Sequence, residues 1–242
     1  MTFSIVAHCS RTGMLGVAVA TAVPAVGSAC PYVKSAVGAV STQSWVNPYL
    51  AIDALAAIER GASGPDALDA VMAGDAGREA RQIGVVDARG RSAAWSGSSC
   101  TPWFGQIVEP HFAVQGNMLV SGDTIEAMAE AFRGSDALYL AGRLMLALEA
   151  GEAAGGDKRG RQSAALKVHA VEAYPWLDLR VDEHPHPVTE LRRVYRIARR
   201  QLLPFVEGMP KRTDPGARAP DSVVQLLGLS PPDRPGGGGS AL

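Results

Sequence analysis

Strand-like and helix-like runs arrive in groups along this chain, and that grouping limits the architectures it can adopt. Three β-rich runs come first, at 3–8, 15–20 and 37–43. Two helical stretches follow at 48–60 and 65–72, each led by a proline suited to a first helical turn. Strand pattern returns at 82–87, 92–96 and 112–116, helix at 124–132 and 136–150, and strand again at 163–171 and 179–182. A basic amphipathic helix is expected at 189–205. Strict βαβ alternation would predict a parallel doubly wound sheet. Grouped elements instead predict an α+β fold, a four-layer αββα sandwich of two antiparallel sheets with a helical pair outside each. The second run, LGVAVA, is built from small residues, so another element packs closely on it.

The 242 residues suit one such unit, expected over 1–207. From 208 to 242 the composition turns to Pro, Gly and Arg, and a tail without order is expected. Within it, 223–229 (VVQLLGL) reads as a short docking segment.

Composition removes several function classes. Lys plus Arg is 23 and Asp plus Glu is 24, a net charge of -1, so no global basic field favours nucleic acid or an anionic membrane. No apolar run reaches the roughly 18 residues of a membrane span. The N-terminal MTFSIVAHCS lacks the basic lead of a signal peptide. Cys9, Cys30 and Cys100 are too few and too scattered for a disulfide framework or a thiolate zinc site. The expectation is a soluble, cytoplasmic protein with reduced thiols.

Thr2 is the sharpest single feature. It follows Met1 and starts a strand at once. Removal of Met1 would leave a threonine whose hydroxyl attacks while its own α-amine takes the proton. An α-amine titrates near 7.7–8.0, close to working pH. On position alone an ordinary second residue is the commoner explanation.

A set of segments adds context: TFSIVA at the start, GAVSTQSWVNP at 38–48, RQIGVVD at 81–87, VQGNML at 114–119, GGDKRGRQSAAL at 155–166 and DLRVDEHPHP at 178–187. Together they resemble the bacterial domain of unknown function 1028 family, assigned to the N-terminal nucleophile (Ntn) hydrolase superfamily, over roughly residues 1–206. The resemblance implies an Ntn-hydrolase-like αββα sandwich and Thr2 as nucleophile. It implies a class of chemistry without naming a substrate. Cys9 departs from the acidic or polar residue expected in that turn, and the tail resembles no peptidoglycan-binding-like module such as some relatives carry.

Acyl transfer by Thr2 needs donors for an oxyanion. Gln115-Gly116-Asn117 ends a strand and supplies amides beside a glycine. Ser41, Thr42, Gln43 and Asn47 end another strand as candidate substrate contacts, or form a turn before the Pro48 helix. The loop at 155–163 gathers Lys158, Arg159, Arg161 and Gln162 between glycines and an apolar strand, which would set them at a sheet edge beside a cleft. An arginine fork there suits a substrate carboxylate. Asp157 is expected to orient the Thr2 amine or pair with Lys158.

Other features read as structural. Asp178, Arg180 and Asp182 alternate with apolar residues as an ion-pair ladder on a half-buried strand. His184 and His186 flank Pro185 without a third ligand of clear spacing, so no metal site is expected. His8 and His111 are singletons. Arg78, Arg81 and Gln82 frame a strand entry. The cations of 190–218 read as a solvated helix face. No G-x-S-x-G elbow, Walker loop, H-E-x-x-H or dinucleotide fingerprint occurs.

The expectation is a threonine-dependent amidohydrolase acting on a small, anionic, non-peptide amide, with no cofactor, no nucleic-acid partner and no membrane. Homo-oligomerisation is left open. The rival is a non-catalytic binding or assembly protein on the same scaffold.

Overall fold

The computed structural model describes residues 2–241; Met1, and with it the expected processing step, lies outside the described residues, as does Leu242. The chain builds β1 (Thr2–His8), β2 (Leu15–Thr21), α1 (Val26–Ala29), β3 (Pro31–Lys34), β4 (Gly38–Ser44), α2 (Pro48–Glu59) and α3 (Gly64–Gly74). It continues with β5 (Arg81–Asp87), β6 (Ser92–Ser96), β7 (Gly105–Glu109), β8 (Phe112–Asn117), α4 (Asp123–Arg133) and α5 (Leu140–Ala153). Last come β9 (Ser163–His169), β10 (Leu177–Val181), α6 (Pro187–Gly208) and α7 (Asp221–Gly228). Among the described residues no helix is long and apolar enough to cross a membrane.

Two antiparallel sheets result. The larger runs β10-β9-β2-β1-β8-β7 and the smaller β3-β4-β5-β6. Their packing follows the two-residue period of the strands. In β1, Phe3, Ile5 and Ala7 face α4 and α5 in an apolar cluster that α6 extends over β9 and β10. Val6 points the other way and meets Leu15, Val17, Ala39, Val86 and Ala113 between the sheets. A third cluster seals β4 and β5 against α2 and α3 through Val40, Ile83, Leu50 and Leu68. The layers therefore run helices, sheet, sheet, helices.

The small residues of β2 find their cause in this packing. A Cβ on Gly16 would come within 2.8 Å of Leu144 Cδ1 on α5 and 3.0 Å of the Lys167 carbonyl oxygen on β9. Helix starts follow local chemistry too. Asn47 caps α2 by accepting from the Tyr49 amide at 3.1 Å, and Ser63 caps α3 by accepting from the Asp66 amide at 3.0 Å.

The sequence reading missed β3, β7 and α1. Strands β3 and β7 are short and hold at most one buried residue, so they lack the buried apolar signal of central strands. Helix α5 starts at Leu140, four residues later than expected, because 135–139 forms a turn. The tail also differs from its expected lack of order. Val223 of α7 is buried. Gln201 Nε2 on α6 donates to the carbonyl oxygens of Pro235 and Gly237, at 3.2 and 2.8 Å. Composition weighed against order there, yet α6 offers a surface on which the segment can lie.

Candidate functional site

Thr2 begins β1 and pairs with Thr21 of β2 on one side and Asn117 of β8 on the other. Its hydroxyl lies 3.1 Å from the Thr21 hydroxyl. The residue is 6% exposed and opens on a cavity of about 500 Å³. Asn117, Met118, Arg159, Trp45 and Thr101 share that cavity. Cys30 also lines it, but burial pushes its thiol up to about 12, so it stays protonated and is no rival nucleophile.

Backbone strain concentrates here. Ala25, Ser44 and Met118 all line the cavity and hold positive φ angles of 55°, 68° and 52°. Side chains resist that region, and such residues gather where the surrounding structure imposes a functional shape.

Beneath Thr2, a buried amide network joins the two sheets. Gln43 Nε2 donates to the Thr2 carbonyl oxygen at 3.2 Å and to Gln82 Oε1 at 2.8 Å. Asn117 Nδ2 donates to the same Gln82 Oε1 at 2.9 Å. Gln82 Nε2 donates to the Gly116 carbonyl oxygen at 2.8 Å and to Ser96 Oγ at 2.8 Å. Gln115 Nε2 donates to Ser4 Oγ at 2.6 Å, and Ser4 Oγ donates to Gln43 Oε1 at 2.7 Å. A network this buried holds its members in one arrangement, because each broken bond strands a polar atom.

Several expected contacts therefore need correction. Gln115, Ser41 and Gln43 are fully buried and do not line the cavity. Gln115 and Gln43 belong to the inter-sheet network and hold the end of β1 from below. Asn47 also stays off the cavity wall, as the cap of α2. Asn117 is the member of the strand-end pair that reaches the cavity.

The 155–163 loop sorts its charges one by one. It enters β9, an interior strand flanked by β2 and β10, so it sits at the strand ends and not at a lateral sheet edge. Asp157 accepts from the Ala22 amide at 3.0 Å, the Arg159 amide at 2.8 Å and Arg159 Nη2 at 3.3 Å. It pairs with Arg159 in place of the expected Lys158. Lys158 Nζ reaches the Pro102 carbonyl oxygen at 2.8 Å. Arg159 lines the Thr2 cavity. Arg161 turns away toward Glu152, at 3.4 Å, and lines a separate small recess with Phe3 and Gly156. Gln162 anchors the loop through its backbone, whose amide donates to the Thr21 carbonyl oxygen at 2.9 Å.

The other singled-out residues have structural partners. Asp178 pairs with Lys167 at 3.1 Å and Asp182 with Arg180 at 2.9 Å, as the ion-ladder reading expects. Arg81 pairs with Asp75 at 2.7 Å. His8 and His111, singletons in sequence, meet in space with their Nδ1 atoms 3.1 Å apart. The His184 ring accepts from the His186 amide at 3.0 Å. Sequence reasoning missed Trp45, Thr101 and Met118 on the cavity wall, and Thr21 beside the Thr2 hydroxyl. Only the strand register brings Thr21 beside Thr2, and nothing in the local sequence announces it.

The family of unknown function designated DUF1028 matches residues 2–191. This chain belongs to that family. A crystal structure of a protein from Silicibacter pomeroyi, assigned to DUF1028, is similar over 90% of this chain and 96% of that one, at 32% identity and a TM-score of 0.83. Anbu (ancestral β-subunit) from Yersinia bercovieri aligns over 86% of this chain and 98% of that one, but at 10% identity and a TM-score of 0.38 the likeness bears no weight. No curated protein matches.

Proposed function

We propose that this chain is an amide hydrolase of the Ntn type, with Thr2 as nucleophile, and that its layered sheets and helices are the αββα scaffold of that superfamily. The reading requires a free Thr2 amine, exposed by removal of whatever precedes it. The observation that carries it is Thr2, at the head of β1, on the wall of a cavity of about 500 Å³ that Arg159 and Asn117 also line.

The chemistry follows from those groups. The α-amine takes the hydroxyl proton as Thr2 Oγ1 bonds to the amide carbon. The tetrahedral oxyanion is met by hydrogen-bond donors, and Asn117 has a second Nδ2–H beyond the one given to Gln82. Collapse breaks the C–N bond, and the protonated α-amine returns its proton to the leaving amine. Water then adds to the ester with the same amine as base, releasing the acid and restoring Thr2. Arg159 favours a substrate with a carboxylate. A nearby cation also lowers the pKa of an amine and keeps it a base. Three free, buried cysteines agree with a reducing, cytoplasmic setting.

The test is a screen of ureido, acyl-amino-acid and linear amides, using protein whose intact mass establishes Thr2 as first residue. Turnover by the wild type, none by Thr2→Ala at unchanged circular dichroism, and an ester trapped on Thr2 are expected. Full turnover by Thr2→Ala would overturn the mechanism.

A further inference from the structure

A second recess lies away from the Thr2 cavity, between α6 and the C-terminal segment. It encloses about 470 Å³ and is lined by Arg193, Arg196, Arg199, Arg200, Gly236 and Gly238 together with Ile197. Arg193, Arg196 and Arg200 follow helical spacing and present one face. Arg193 is neutralised by Glu190 through two hydrogen bonds, at 2.8 and 2.6 Å. Arg199 lies 5.9 Å from the Tyr195 ring centroid. Among the described residues, Arg196, Arg199 and Arg200 enter no ion pair, and no acid lines the recess.

The opposite wall is backbone. Gly236, Gly237, Gly238 and Gly239 all hold positive φ, from 62° to 101°. Gln201 fixes this turn through the Pro235 and Gly237 carbonyl oxygens. Side chains are excluded from it, since a Cβ on Gly238 would come within 2.9 Å of Ile197 Cδ1. Among the described residues the Gly236 and Gly238 amides donate to no backbone or side-chain acceptor, and both residues line the recess together with three guanidiniums that enter no ion pair. Glycine backbone in such turns forms anion-binding concavities. Crowded like charges repel unless an anion sits among them.

We propose that this recess binds a compact anion carrying two or more phosphoryl groups. Guanidinium forks match phosphoryl oxygens in pairs. The volume falls within the roughly 300–1,000 Å³ of small-molecule sites. The glycine wall makes the basic patch a recess, which suits a compact anion better than the outside of a duplex. The site is independent of Thr2 and stands or falls apart from the hydrolase reading.

The experiment is calorimetric titration of the full chain with inorganic pyrophosphate and tripolyphosphate at about 150 mM salt, where long-range charge effects are screened. Saturable binding is expected, weakened more than about tenfold in Arg196→Ala/Arg200→Ala. A control, Arg60→Ala/Arg89→Ala, removes the same charge elsewhere and should leave affinity unchanged. Gly238→Ala, which crowds Ile197, should weaken binding without touching charge. Absence of binding at about 5 mM ligand, or equal losses in both double variants, would overturn the site. Length-dependent binding of oligonucleotides that displaces tripolyphosphate would replace it with a nucleic-acid surface.

Discussion

Arg159 and Arg161 stand two positions apart on one loop, yet their surroundings give them different duties. Arg159 faces the cavity of Thr2, and Arg161 reaches Glu152 on another face. On the proposed hydrolase reading, Arg159→Ala should therefore raise KM for anionic amides about tenfold or more while sparing neutral ones. Arg161→Ala should leave both unchanged; steady-state kinetics on a matched substrate pair checks this. His169 makes a second case at this scale. It is buried, neither ring nitrogen has a hydrogen-bond partner among the described residues, and burial, aided by Lys167, lowers its pKa to about 4. A histidine with a depressed folded pKa gives the unfolded state the greater proton affinity. Its contribution is intact above the unfolded value of about 6.5 and is lost as pH falls toward about 4. Over that window the wild type should lose on the order of 1–2 kcal/mol from this group, after discounting for partial solvent access. His169→Leu should flatten the fall, as read from urea midpoints at pH 7 and pH 4.5.

At the scale of elements, close approach decides what β4, β5 and β8 can carry. Gly84 on β5 faces Gln115 on β8, and a Cβ there would lie 2.1 Å from Gln115 Oε1. Gly84→Ala should push Gln115 out of its bond with Ser4, costing about 1–3 kcal/mol by overpacking. Chemical denaturation measures that loss. The same view explains how legible the elements were. Central strands β1, β2, β4, β5 and β8 carry continuous buried pattern and were read to within a residue or two at each end. Strands β3 and β7 are short and hold at most one buried residue, so they left no such signal, whereas β10, an edge strand as well, alternates buried and exposed residues and was foreseen. Ser41, Gln43 and Gln115 resembled site residues because polar groups at strand ends often face ligands. Here the second sheet covers them, and no local pattern encodes which sheet lies across.

On the scale of the whole molecule, no residue beyond Leu203 belongs to the apolar clusters of the core. A chain ended after Gly208 should therefore keep its fold and lose only about 1–3 kcal/mol, mainly the burial around Val223. Thermal unfolding of the truncated and full chains compares them. Hydrophobic period, helix caps and the grouping of elements were enough to foresee two antiparallel sheets with outer helices, because each follows from local steric and solvation rules. Thr2 was likewise marked by its own chemistry at the head of a strand. The partner of Thr2, the cation that faces it and the closing of a recess by distant glycines needed the assembled layers. Those are contacts between residues far apart in sequence, set by register and packing that no local pattern carries.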